Sequence, residues 1–149
     1  MNRPSRDFIN LEIAKLIASR GACGRMKVGC VITKDGRIIS TGYNGPLPSE
    51  DLCYAHCNVS QPCDHAIHAE QNAIAFAASE GINLFGATLY CTHGPCLTCA
   101  RLIVQVGIFR VIYLEPYRSS HGIITLRKAN IETELYEPTK DSKKPEGDR

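Results

Sequence analysis

The sequence predicts an α/β protein: a three-layer α/β/α sandwich around a five-stranded mixed sheet. Three observations carry this. Helical and strand periods follow one another as α-β-β-α-β-α-β-α-β, which calls for one sheet with helices on both faces. At 149 residues the chain is long enough for a single domain with a genuine core. Its apolar fraction of 44% and charged fraction of 21% are those of an ordinary globular protein.

Each element has a local reason. Ser5 can cap a first helix running to about Arg20, with Ile9, Ile13, Leu16 and Ile17 as its core-facing stripe, and Gly21 ends it. Strands over 28–33 and 37–41 are joined by Lys34-Asp35-Gly36, a hairpin signal. The second strand opens into Gly42-Tyr43-Asn44-Gly45-Pro46, where two glycines around an asparagine suit backbone close to a ligand or a plain turn. Residues 46–66 show no periodicity. An alanine-rich helix over 67–79 stops at Gly81, and a third strand over 87–92 leads to His93-Gly94-Pro95. Pro95 fits the first turn of the next helix, where its missing N–H costs nothing. A strand over 109–114, a loop over 115–120, a short helix over 122–129 and a strand over 131–136 complete a single domain, residues 1–136. From Glu137 onward there is no apolar side chain, only four acids and four bases among small polar residues, so 137–149 is expected to be a disordered tail. There is no internal repeat and no domain linker.

Composition excludes some partners. A formal charge of +2 without a basic run argues against nucleic acid. No stretch approaches the roughly 18 apolar residues of a membrane span, and the polar start Met1-Asn2-Arg3-Pro4 does not resemble a secretory signal. A cytoplasmic protein is expected. Its eight cysteines are then better read as metal ligands or buried thiols than as disulfides. Cys30 and Cys91, in strands, are expected as small core residues.

The chemistry gathers at His68-Ala69-Glu70 and Pro95-Cys96-Leu97-Thr98-Cys99. One imidazole and two thiolates leave a tetrahedral zinc one open corner, the mark of a catalytic site. Water bound there deprotonates near neutral pH. Residues two apart on a helix point roughly 200° apart, so His68 and Glu70 share one site only if it lies off the helix N-terminus. Cys96 and Cys99, three apart, fall on one face of the next helix start. Within 46–66, Cys53, Cys57 and Cys63 with His65 (or His56) suit a second, closed structural zinc. Three free thiols are the alternative.

H-x-E with a distant P-C-x-x-C is the signature of zinc nucleobase deaminases. More of the chain resembles the deoxycytidylate (dCMP) deaminases, within the cytidine/deoxycytidylate deaminase superfamily. The residues are Cys23-Gly24-Arg25-Met26-Lys27-Val28-Gly29, Gly42-Tyr43-Asn44-Gly45, His68-Ala69-Glu70-Gln71-Asn72-Ala73 and Thr92-His93-Gly94-Pro95-Cys96-Leu97-Thr98-Cys99-Ala100. The resemblance spans roughly residues 5–136. It implies a cytidine deaminase-like fold and hydrolysis of dCMP to dUMP and ammonia. His68, Cys96 and Cys99 would hold the zinc, and Glu70 would move protons between water, N3 and the leaving ammonia. Arg25, Asn44 and Ala69 would bind substrate, Arg25 at the phosphate. Apart from the resemblance, Tyr117-Arg118 lies after the fourth strand, where α/β sheets hold ligands, and offers a second arginine to clasp phosphate. The resemblance also implies a homohexamer activated by dCTP with Mg²⁺ and inhibited by dTTP, at a site involving Lys27, Gly42, Tyr43, Asn44 and Gly45. Family members commonly continue x-Pro-x-Gly after the Asn-Gly. This chain has Pro46-Leu47-Pro48-Ser49, where regulation is expected to differ. The competing readings are a deaminase of a base in nucleic acid, such as a tRNA adenosine deaminase, and a non-catalytic zinc module.

Overall fold

The computed structural model describes residues 3–48, 63 and 65–137. The elements are α1 (Arg6–Ala18), β1 (Gly29–Lys34), β2 (Arg37–Tyr43), α2 (Ala69–Ser79), β3 (Thr88–His93), α3 (Leu97–Gln105), β4 (Arg110–Glu115), α4 (His121–Lys128) and β5 (Glu132–Leu135). Their order is the one the periodicity predicts. The expected disorder after 137 falls on residues outside those described.

The five strands form one sheet in the order β2-β1-β3-β4-β5. β1 runs antiparallel to both β2 and β3, whereas β3, β4 and β5 are parallel, so the sheet is mixed. The hairpin turns on Asp35 (φ 51°) and Gly36 (φ 73°), both left-handed as a two-residue turn of this hand requires. Glycine accepts such a φ without strain, and Asp is among the residues that tolerate it.

Central strands are covered on both sides, which is why they read as nearly continuous apolar runs. Val31, Tyr90 and Ile112 face α1 and pack with its Leu11 and Ala14. Their neighbours Cys30, Ile32, Leu89, Cys91, Val111 and Tyr113 face the opposite way, against α2, α3 and α4. Cys30 and Cys91, as expected, are buried partners in adjacent strands. All the cysteines described are free thiols.

Two sequence expectations need correcting. Of the expected stripe of α1, Ile13 and Ile17 pack against the core, but Ile9 and Leu16 are exposed, Leu16 by 70%, and the buried positions are Leu11, Ala14 and Ala18. The helix lies so close to the sheet that small residues win the contact positions: Gly29 leaves room for the Ala14 carbonyl where a Cβ would sit only 2.0 Å away. Spacing alone could not separate the larger aliphatic stripe from the one that fits. Pro95, for its part, precedes the N-cap residue Cys96 rather than entering the first turn of α3. No helix among the described residues is long and apolar enough to cross a membrane.

Candidate active site

The site forms at the carboxyl ends of β3 and β4, where α/β sheets hold ligands. β3 delivers the chain to Cys96, whose extended backbone (φ −69°, ψ 172°) makes it the N-cap of α3. Its Sγ accepts the Cys99 backbone N–H at 3.5 Å, so one sulfur caps the helix that carries the other. His68 holds the same place on α2, with φ −76° and ψ 157°. Helix α2 therefore begins at Ala69, and the imidazole leaves the chain before helical geometry sets in. That resolves the two-residue spacing of His68 and Glu70 in the way the sequence demands.

β2 and α2 meet almost backbone to backbone. A Cβ on Gly42 would lie 2.2 Å from the Ala69 carbonyl oxygen and 2.5 Å from the Ala73 nitrogen. Just beyond, Gly45 and Ile67 form an isolated antiparallel bridge, with N–H to O distances of 3.2 and 2.8 Å. The His68 N–H then donates to Gln71 Oε1 at 2.8 Å.

His68 Nδ1 lies 3.5 Å from Cys96 Sγ and 3.4 Å from Cys99 Sγ. The three ligand atoms all fall within 4.8 Å of one another. Zinc bonds of about 2.3 Å to sulfur and 2.0–2.1 Å to nitrogen, set tetrahedrally, put such atoms about 3.6 Å apart. The side chains thus fit that ion without rearrangement, and only three protein ligands gather here among the described residues.

Electrostatics agree with this clustering. The contact with Cys99, helped by His68, brings the Cys96 thiol down to about 3. The same contact with Cys96, together with burial, pushes Cys99 up. A hydrogen bond to Cys96 raises His68 against the opposing effect of its burial. Glu70, only 4% exposed, is raised to about 7 by burial, although Cys99 donates to its carboxylate.

A cavity of about 490 Å³ opens over these groups. His68, Glu70 and Cys96 line it, and so do all five substrate residues expected from sequence: Arg25, Asn44, Ala69, Tyr117 and Arg118. The Arg118 guanidinium lies over the Tyr117 ring, 5.5 Å from its centroid. Asn44 also holds the cavity wall together. Its Oδ1 accepts the Val28 N–H at 2.8 Å and its Nδ2 donates to the Met26 carbonyl at 2.7 Å. The other residues of the expected regulatory loop lie elsewhere. Gly42 packs on α2, Gly45 pairs with Ile67, Tyr43 sits beneath Arg20 (5.8 Å to the ring centroid), and Lys27 is exposed away from the cavity. Of the second zinc set, Cys63 lines the cavity and His65 is exposed, while Cys53, Cys57 and the alternative His56 lie outside the described residues.

Sequence reasoning missed several wall residues, including Cys23, Met26, Val28, His93 and Pro116. All but Pro116 lie inside the motifs quoted above, but the motifs alone gave them no role. His93 is the informative one. Thr92 Oγ1 accepts the Gly29 N–H at 3.2 Å and stands 3.0 Å from His93 Nδ1. Burial lowers this histidine, so the ring is neutral near pH 7. Gln71 was also missed, although its spacing after His68 is that of a capping box.

Comparison with known proteins supplies the family. A family model described as the cytidine and deoxycytidylate deaminase zinc-binding region matches residues 5–115. The chain belongs to that family. The deoxycytidylate deaminase of Schizosaccharomyces pombe is 36% identical over 151 residues, covering 94% of this chain. That of Saccharomyces cerevisiae is 37% identical over 148 residues, covering 93%. The chain spans 47% of the length of each of these two relatives. Among solved structures, the dCMP deaminase of cyanophage S-TIM5, in complex with dCMP and dUMP, superposes with a TM-score of 0.79 at 32% identity. The match covers 90% of this chain and 98% of that one. Membership of a zinc-binding deaminase family, joined to the His68, Cys96 and Cys99 geometry, makes Zn²⁺ the ion of this site.

Proposed function

We propose that this protein hydrolyses dCMP to dUMP and ammonia, supplying dUMP for thymidylate synthesis. The observation that carries the reading is the meeting of a buried carboxylate with the three ligand atoms at one cavity, Glu70 with His68, Cys96 and Cys99. Zinc, when bound, supplies the Lewis acidity that lets water give up a proton near neutral pH. Glu70 takes that proton and delivers it to N3 of the cytosine ring, where it stays. It then takes the second water proton, from the hydroxyl added at C4, and delivers it to the amino nitrogen as the C4–N bond breaks. One carboxylate can serve both transfers because its burial excludes competing solvent. Ala69 at the first turn of α2 lines the wall beside the base, and Asn44 fixes the 26–28 wall at the sugar. Arg25 and Arg118, with Tyr117 beneath the latter, suit the phosphate.

The same reading extends to assembly and control. The chain works in the cytoplasm as a single domain over 1–136, in a homohexamer activated by dCTP with Mg²⁺ and inhibited by dTTP. Lys27 and the 42–45 loop take part in that control. A second zinc is held by Cys53, Cys57, Cys63 and His65, and metal analysis should then find about two zincs per chain.

Ammonia release from dCMP, deoxycytidine and a tRNA, measured side by side, tests the substrate. Turnover is expected for dCMP alone. Equal turnover of the nucleoside would remove the phosphate clasp, and release from tRNA would move the protein to the nucleic-acid deaminases.

A further inference from the structure

We infer that Gln71 is a positioning residue for the metal ligand His68, an inference that rests on the metal-site reading above. Four backbone hydrogen bonds converge on the imidazole's point of attachment. The Ile67 N–H reaches the Gly45 carbonyl at 2.8 Å, and the Ile67 carbonyl accepts the Gly45 N–H at 3.2 Å. The His68 carbonyl accepts the Asn72 N–H at 2.9 Å as the first turn of α2 closes. The fourth is the His68 N–H, which donates to Gln71 Oε1 at 2.8 Å.

Three of these ties join main chain to main chain and form with many sequences. The fourth depends on one side chain. An N-cap residue stands outside the helix, so the helical ladder does not restrain its φ and ψ. At His68 those two angles decide where Nδ1 stands relative to the two sulfurs. At the other ligand helix the restraint is built in, because Cys96 Sγ itself accepts the Cys99 N–H. At α2 the main-chain N–H of the ligand residue is held instead by a neighbouring side chain, Gln71. Groups that orient a metal ligand in this way typically change affinity 10- to 100-fold when removed.

The test compares Gln71→Leu, which keeps the bulk and loses the acceptor, with Gln71→Glu, which keeps an acceptor oxygen at the same place. Zinc affinity is read by competition with a chromogenic chelator, starting from the zinc-loaded protein. The ligand geometry is read from the visible spectrum of the Co²⁺-substituted protein. Gln71→Leu is expected to weaken zinc about 10-fold or more and to shift the Co²⁺ bands, and Gln71→Glu to restore both. Parental affinity and spectrum in Gln71→Leu would overturn the inference. So would an equal loss in both variants, or weaker binding with an unchanged spectrum, since each makes the contact merely structural. A parent protein that binds no zinc would defeat the metal-site reading itself, a result distinct from any of these.

Discussion

The two faces of the sheet are fastened by different means. On one face α1 is the only helix among the described residues, and it is held by charge as well as packing. Arg110 of β4 reaches Asp7 of α1 through its two terminal nitrogens, at 3.1 and 3.0 Å, and also meets Glu132 through Nε and Glu134 through Nη2, both of β5, at 3.1 Å each. The Tyr90 hydroxyl donates to the same Asp7 at 2.8 Å. On the other face α2, α3 and α4 pack through small side chains, with Ala69, Ala73, Ala77 and Ala100 fully buried. The contrast separates stability from chemistry. Polar groups on the α1 face satisfy one another, whereas those at the helix starts opposite are aimed into a cavity.

Substitutions can widen or erase that contrast. The largest effect is expected from Glu70→Gln, which keeps the shape and removes the proton carrier. dUMP formation from dCMP should fall by about 10³-fold while bound zinc, measured by metal analysis, stays at the parental level. A variant that kept its activity would refute the carboxylate's role. Gly42→Ala should damage both fold and site, because the added methyl meets α2 backbone that cannot yield without moving the helix. Overpacking of this kind costs about 1–3 kcal/mol. The melting temperature should drop by several degrees, and zinc affinity should fall with it because α2 carries His68. Arg110→Ala should do the least, and only to stability. Its partners are partly solvated, so the loss is about 1–2 kcal/mol by denaturant titration, with dCMP turnover per folded molecule unchanged. Lost turnover would show that the two faces are coupled after all.

The sequence made some of this legible for physical reasons. Metal ligands must be particular residue types at particular spacings, so His68, Cys96 and Cys99 announce themselves. The demand that Glu70 share a site with His68 even located that site off a helix N-terminus. The hairpin was readable because Asp35-Gly36 tolerates the left-handed turn. What could not be read were choices made by distance between elements. The inner stripe of α1 is set by how closely the helix approaches Gly29, so Leu11, Ala14 and Ala18 displace the bulkier Ile9 and Leu16. His93 and Met26 lie inside recognised motifs, but that they face the cavity is set by topology. Gln71 lies between, since its spacing was visible but a histidine at the cap hid the meaning.

The pairing of Gly45 with Ile67 has a corollary for chain length. Gly45, just past β2, and Ile67, just before α2, are bonded to each other, so the number of residues between the two does not alter where the imidazole that follows is set down. Lengthening such a connection costs only slowly growing closure entropy. A change in the number of residues between 45 and 67 is therefore expected to leave the reaction centre in place.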